Sequence, residues 1–279
     1  VYLYEGKNTL AAEQFADVNG TPGQTSQYGY HLLSNFADLW SFTNKFNTES
    51  ILEVSHSAQG SYWGIWGGSS DEGNTVNVMV GPRSYNKLDN QAPELPSGWS
   101  FNVFTQDFYN FMQGDPRFNA TVFDLKSLKE NGHADYIAGY QDTGYFLNKF
   151  LPKQADVYDG SLGGDAVLNY AQNTYAIRLA DTYLMEAEAL GGTGSRAQAL
   201  LDAVRARVGL SSVPVSMNAI KEERRRELAG EGHRWFDLVR WGDAPTKLGS
   251  RGFVAGKHEI LPIPVDELKN TLIQQNPNY

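Results

Sequence analysis

Apolar and polar positions follow two rhythms along this chain, and the change of rhythm divides it. From Thr174 to Leu190, apolar residues recur three and four apart: Ile177, Ala180, Tyr183, Leu184, Ala187 and Leu190. That spacing gathers them on one helical face. "GGTG" (Gly191–Gly194) breaks the helix, Ser195 is placed to cap the next one and Gly209 to end it. Thr174–Leu190 and Ser195–Val208 are thus predicted to form a helical hairpin. Tyr2–Lys7 and Thr9–Val18 predict another, with Val1–Glu5 reading as the inside of a helix that has no cap before it. The hairpins share a pattern, Gly6-x4-Ala11-x3-Phe15 and Gly192-x4-Ala197-x3-Leu201. A small residue at a crossing, with a bulky one a turn later, suits the close packing of tetratricopeptide-type hairpins.

Between the hairpins the rhythm shortens. Ile51–Ser57 alternates like a strand. Ala58–Asn102 is rich in Gly, Ser, Pro and Asn, yet carries Tyr62, Trp63, Trp66, Tyr85 and Trp99. Loops this long inside a domain are usually functional. Phe104–Met112 predicts a helix, Asp115–Phe123 a turn entering a strand, and Asp124–Leu151 an irregular or weakly β region. A helix is expected from about Met217, a second over "HRWFDLVRWG" (His233–Gly242), and a short one from Val265 with carboxylates in its first turn.

Composition narrows the function. The 279 residues suffice for one large domain or two ordinary ones, and 41% hydrophobic with 20% charged residues is a globular balance. A net charge of −9 repels phosphate backbones, so no nucleic-acid partner is expected. The absence of cysteine excludes disulfides, thiolate metal sites and a cysteine nucleophile. Aromatics reach 13%, an excess that marks binding surfaces when it is not filling a core.

Candidate chemistry is sparse. His31, His56, His133, His233 and His258 include no pair at i, i+3 or i, i+4, which argues against zinc. "SSDEGN" (Ser69–Asn74) offers oxygens without the spacing of a calcium loop, so a structural Ca²⁺ lacks support and no cofactor is expected. Neither a phosphate-binding glycine loop nor a serine nucleophile elbow is present.

Lys221–Gly242 is the densest stretch, with six basic and five acidic residues. On a helix, Glu222 would meet Arg225 and Arg226, and Arg224 would meet Glu227, each exposed pair contributing about 0.2–0.5 kcal/mol. Trp235, Phe236, Leu238, Val239 and Trp241 encircle the next helix, which predicts burial on most sides. Arg234, Asp237 and Arg240 would then need partners, expected in the Glu/Arg series just before. The stretch reads as an interlocked ion-pair and aromatic corner, in preference to a catalytic Glu231–His233–Asp237 set.

"EERRRELAGEGHRWFDLVRWG" (Glu222–Gly242) resembles the most diagnostic motif of the SusD/RagB family, surface nutrient-binding lipoproteins of Bacteroidetes-type bacteria. The motif residues are Glu222, Arg224, Arg225, Glu227, Glu231, His233, Arg234, Trp235, Asp237, Arg240 and Trp241. "NTESILEVSHS", "DPRFNATVF", "YAIRLADTYLMEAEAL" and "LPIPVDELKNTLIQQNPNY" agree in the family's order. Gly230 departs from the pattern, where a bulkier residue is common, and predicts only a local packing difference.

The resemblance implies a mainly α, SusD-like fold: tetratricopeptide-type helical hairpins plus long irregular loops and a few short strands. It implies the C-terminal portion of one such domain. Residues 1–45 would end a helical-repeat region, 46–170 hold a loop-rich ligand-binding insertion, and 171–279 hold a hairpin and the signature. It further implies glycan capture without catalysis, delivery to a SusC-type TonB-dependent transporter, and a cell-surface place on the outer membrane through a lipid anchor upstream. Peptide capture is the alternative, and a polysaccharide hydrolase a remote one. Family ligand residues lie in variable loops, so candidates come from this sequence: Tyr62, Trp63, Trp66, Tyr85 and Trp99 to stack on sugars, and Asp71, Asn74, Arg83 and Asn102 to bond hydroxyls.

Overall fold

The computed structural model describes residues 1–58, 73–153 and 168–279, and the structural statements here concern those residues. They divide into two compact units, Val1–Gly230 and Glu231–Tyr279. The first contains α1 (Asn8–Asn19), β1 (Ser50–Val54), α2 (Val76–Val80), β2 (Arg83–Lys87), α3 (Gln106–Met112), α4 (Phe118–Thr121) and β3 (Val122–Asp124). It continues with α5 (Leu125–Glu130), β4 (Ala134–Ile137), β5 (Tyr145–Leu147), β6 (Thr174–Arg178), α6 (Leu179–Ala189), α7 (Gly194–Arg207) and α8 (Met217–Glu227). The second contains α9 (Arg234–Arg240) and α10 (Ala244–Leu248). The strands form three antiparallel pairs, β1 with β6, β2 with β4 and β3 with β5. The fold is mainly α, as expected.

Helix α6 is the centre of the first unit. Leu179, Ala180, Tyr183, Leu184 and Ala187 are fully buried, packed with Ala197, Leu200, Leu201 and Val204 of α7 and Ile220 of α8. Its polar side is buried too, because α1 packs there. Asn19, at the end of α1, donates to the Thr182 carbonyl at 3.1 Å and to Glu186 at 2.8 Å, and accepts from Thr182 at 2.7 Å.

Three local expectations are corrected. Thr174–Arg178 is a strand rather than the start of the helix, since its backbone groups pair with Ser50–Val54. Tyr2–Lys7 is a run of turns, and the helix starts at Asn8. Ser195 lies inside α7, and Thr193 precedes the helix with its hydroxyl turned back to the Leu190 carbonyl at 3.3 Å.

Four of the five resembling segments contribute to buried ion pairs in the first unit. Arg117, before α4, donates to Asp115 through two nitrogens at 2.8 Å each, to Glu223 at 2.6 Å and to Glu227 at 2.8 Å. Arg178, closing β6, reaches Glu49 at 2.8 Å and Glu227 at 2.6 Å. Arg207 pairs with both Glu49, at 3.1 Å, and Glu227. Arg205 pairs with Glu223 at 2.9 Å, and Arg224 with Asp181 at 2.7 Å. Lys149 donates to the Glu227 carbonyl at 2.8 Å, with its ammonium 4.5 Å from the Trp40 ring centre.

Burial opposes charge on Glu227, but Arg207, Arg178, Arg117 and Lys149 outweigh it and hold the carboxyl well below its ordinary value. Burial likewise opposes the charge on Arg117, and the hydrogen bond to Asp115 with the charges of Glu227 and Glu223 more than restores it.

The expected pairs within α8 are therefore corrected. Arg224 and Glu227 ignore each other, because the inward face of α8 meets arginines and carboxylates from other elements. Arg225 lies over Phe111 with its guanidinium 4.2 Å from the ring centre. Only Glu222 and Arg226 pair locally, at 3.4 Å.

In the second unit, Leu238 packs with Ala244 and Phe253, flanked by Val239 and Leu248. Asp237 receives Arg240 at 2.9 Å, and the Arg234 guanidinium stands 5.9 Å from the Trp241 ring centre. Within this unit Glu231, His233 and Trp241 are partly buried. The encircled helix is not buried all round, since Trp235 is 38% and Phe236 56% exposed. A helix of seven residues presents one face to so small a core. The element at Val265 is a single 3-10 turn, Val265–Leu268.

Candidate functional site

The segment Gly98–Phe101 is bolted along the end of α2 by backbone donors. Gly98 donates to Pro82, Trp99 to Val78, Ser100 to Gly81 and Phe101 to Met79, at 2.7–2.8 Å. Glycine is required at this crossing, because a Cβ on Gly98 would stand 2.5 Å from the Gly81 backbone. Arg83 opens β2 beside it, pairs with Ile137 of β4, and donates its backbone N–H to Ser100 Oγ at 2.8 Å. The loop after β4 closes the group: a Cβ on Gly139 would meet Ser100 Cβ at 2.9 Å.

These abutting segments carry an exposed face. Phe101 is 54%, Ile137 56% and Tyr140 88% exposed. Trp99 is partly buried on Val78, Leu168 and Tyr170, with its ring edge-on to Phe101 at 6.0 Å. Arg83, Asn102 and Gln141 are exposed among them, and Gln141 donates to the Tyr140 hydroxyl at 3.3 Å. Behind the face, the Tyr136 hydroxyl donates to Asp142 at 2.7 Å; burial and then this bond raise its pKa.

Backbone strain gathers at the same place. Ser84 (φ +49°), Ser100 (+59°), Asn102 (+56°) and Gln141 (+53°) adopt left-handed conformations. Each costs about 1–2 kcal/mol for a residue with a Cβ, less for Asn. Such conformations persist where surrounding structure over-determines them, and they concentrate at binding sites. Exposed rings and methyl groups flanked by a guanidinium and amides suit a ligand with apolar faces and many hydroxyls.

Of the residues anticipated from sequence, the structure brings together Arg83, Trp99 and Asn102. Asn74 is not among them: it is 1% exposed, and its amide donates to the Gln172 carbonyl at 2.9 Å and to the Thr174 hydroxyl at 3.1 Å. Tyr85 packs into the core of Leu125, Tyr136 and Phe146 and donates to the Pro93 carbonyl at 2.7 Å. Burial and then the charge of Glu94 raise its pKa. Tyr62, Trp63, Trp66 and Asp71 lie outside the described residues. Among the described residues, Asn74 donates its backbone N–H to the carbonyl of Tyr170, on which Trp99 packs, at 2.9 Å.

Sequence reasoning missed Phe101, Ile137, Tyr140 and Gln141. A signal existed in "IAGYQDTG", where glycines flank a tyrosine as they flank the tryptophans of "WGIWGG". Among the described residues no group of His, Asp and Glu could hold a metal ion, and no helix is long and apolar enough to cross a membrane.

Comparison with known proteins supplies independent evidence. The model of the SusD family matches residues 48–253. A SusD-like protein P25 from Formosa agariphila is 27% identical, aligned over 88% of this chain and 51% of its own length. A solved laminarin-binding SusD-like protein is 65% identical with a TM-score of 0.97, covering 100% of this chain and 60% of that one. Surface glycan-binding protein A from Bacteroides thetaiotaomicron is 25% identical with a TM-score of 0.82, covering 100% of this chain and 61% of that one. The chain thus spans about half the length of the curated relative and 60% of the solved laminarin-binding one.

Proposed function

This chain belongs to the SusD family, and from that premise we propose that it is part of a cell-surface protein that captures a glycan of the laminarin type. The observation that carries the reading is the 65% identity, over the whole chain, to a laminarin-binding SusD-like protein. The face of Arg83, Trp99, Phe101, Asn102, Ile137, Tyr140 and Gln141 suits the task. Its rings cover the C–H faces of sugars, while its guanidinium and amides bond hydroxyls. Trp63, Trp66, Tyr62 and Asp71 belong to the same proposal on sequence grounds. Asn74 and Tyr85 are left out of the contact set, because one is buried and the other has its hydroxyl committed.

The captured glycan is handed on unchanged to a SusC-type TonB-dependent transporter. The protein works at the outer membrane, held by a lipid anchor outside this chain. Family relatives named for glycan binding support the absence of catalysis. No metal or cofactor is required, since stacking and hydrogen bonding suffice for capture.

Electrophoresis through gels cast with laminarin tests the reading. Retardation by laminarin, without release of reducing sugar on prolonged incubation, is expected. Free migration in laminarin and in every other polysaccharide tried, together with binding of a peptide mixture, would overturn it in favour of peptide capture.

A further inference from the structure

At the C-terminal end of α3, a cleft of about 510 Å³ that shares no lining residue with the exposed face opens between that helix, the Leu210–Pro214 loop and α8. Phe111, Arg205 and Arg226 line it, with Asp115 and Glu222. Arginine is oversupplied here. The guanidiniums of Arg225 and Arg226 both lie over the ring of Phe111, 4.2 and 4.1 Å from its centre. Among the described residues Arg225 has no hydrogen bond or ion pair; burial, then the neighbouring charge of Arg226, lowers its pKa against the charges of Asp107 and Glu222. Arg226 has only long contacts, 3.4 Å to Glu222 and 3.7 Å to Asp115. Arg205 uses Nε on the Ser211 carbonyl and Nη1 on Glu223, which leaves Nη2.

Most of the nearby carboxylates are already committed, and Asp107 and Glu222 act on Arg225 only through their charge. Both oxygens of Asp115 are held by Arg117 at 2.8 Å. Glu223 gives one oxygen to Arg117 and the other to Arg205. Among the cleft's lining residues only Glu222 has a loosely engaged carboxylate, and its side chain is 62% exposed at the rim. Guanidinium donors in a partly desolvated cleft are the usual receptors for planar or tetrahedral oxyanions.

We propose that this cleft binds an oxyanion, a carboxylate or sulfate group, through Arg226 and Arg205, with Arg225 adding its charge beside the Phe111 ring. The group comes either from a free anion or from an acidic substituent on a saccharide. Glu222 is its built-in competitor, since it occupies Arg226 when the cleft is empty.

Isothermal titration of the folded chain at fixed ionic strength, with inorganic sulfate, glucuronate and glucose, decides the matter. At least one of the two anions binds and glucose does not; sulfate alone points to a free anion, glucuronate to a sugar acid. Arg226→Gln weakens that binding about tenfold, and Glu222→Gln tightens it by about threefold or more. Retention of laminarin by either variant stays as in the parent chain. Absence of heat from both anions overturns the proposal, as does equal binding by Arg226→Gln. Should Arg226→Gln fold poorly, Glu222→Gln alone decides: weaker or unchanged anion binding overturns it.

Discussion

Arg117 and Glu227 are 110 residues apart in the chain and joined by a hydrogen bond of 2.8 Å. Between them they tie α4, α8, β6 and the end of α7, because Glu227 also receives Arg178 and Arg207. A buried pair of this kind gains little over a well-packed apolar substitute, but losing one partner strands the other. Arg117→Ala leaves Asp115, Glu223 and Glu227 short of a cation together. It is expected to lower unfolding free energy by about 3–5 kcal/mol, read from the urea midpoint. Arg226→Ala, which removes only long contacts of 3.4 Å to Glu222 and 3.7 Å to Asp115, is expected to change it by under about 1 kcal/mol.

The same network fixes a pH dependence. Glu227 is held well below its ordinary 4.5, burial opposing and the surrounding arginines prevailing. Asp115 is held below 3.8, against burial, by Arg117. The unfolded chain therefore takes up these protons first. Their contribution is complete above about pH 4.5 and declines as pH falls below that toward the folded values. Urea midpoints measured from pH 7 down to pH 3 are expected to drop in the acid range, with a smaller drop in Glu227→Gln.

Gly230 sits at φ +77°, and a Cβ there would lie 2.4 Å from Leu147 Cδ1. Leu147 is only 5% exposed and has little room to yield. Gly230→Ala is expected to cost about 1–3 kcal/mol through left-handed strain and overpacking. A melting temperature equal to the parent's would contradict this.

The exposed face and the buried candidates separate by their readouts. Tyr140→Ala and Trp66→Ala are expected to weaken glycan binding with little change in melting temperature. Asn74→Ala is expected to lower stability by about 1–3 kcal/mol, because the Gln172 carbonyl and Thr174 lose a buried partner. Trp66→Ala losing both stability and binding would place that ring in a core.

Much of the framework was legible in the sequence because it follows local rules. Tyr183, Leu184 and Ala187 announce the buried face of α6 by spacing, and Gly209 its partner's end. The partners of the charges were not legible. Arg224 could have met Glu227 on its own helix, and instead meets Asp181, brought by tertiary packing. The helix–strand boundary at Arg178 was hidden for the same reason, since Thr174–Arg178 fits either element until Ser50–Val54 arrives to pair with it. At the candidate site, Arg83, Trp99 and Asn102 were visible as residue types in a long loop. Tyr140 showed only as a tyrosine between glycines, and its place beside Trp99 and Phe101 was hidden because Ser100 and Gly139 are 39 residues apart in the chain and meet only in the fold.

The central claim is that the face of Phe101, Ile137 and Tyr140 contacts a glycan. Isothermal titration with laminarihexaose, comparing the parent chain with Phe101→Ala/Tyr140→Ala, tests it most directly. Removing two stacking rings is expected to cost about 1–3 kcal/mol of binding free energy, a loss of about five- to 150-fold in affinity, with an unchanged melting temperature. Undiminished affinity in the folded double variant would contradict the account.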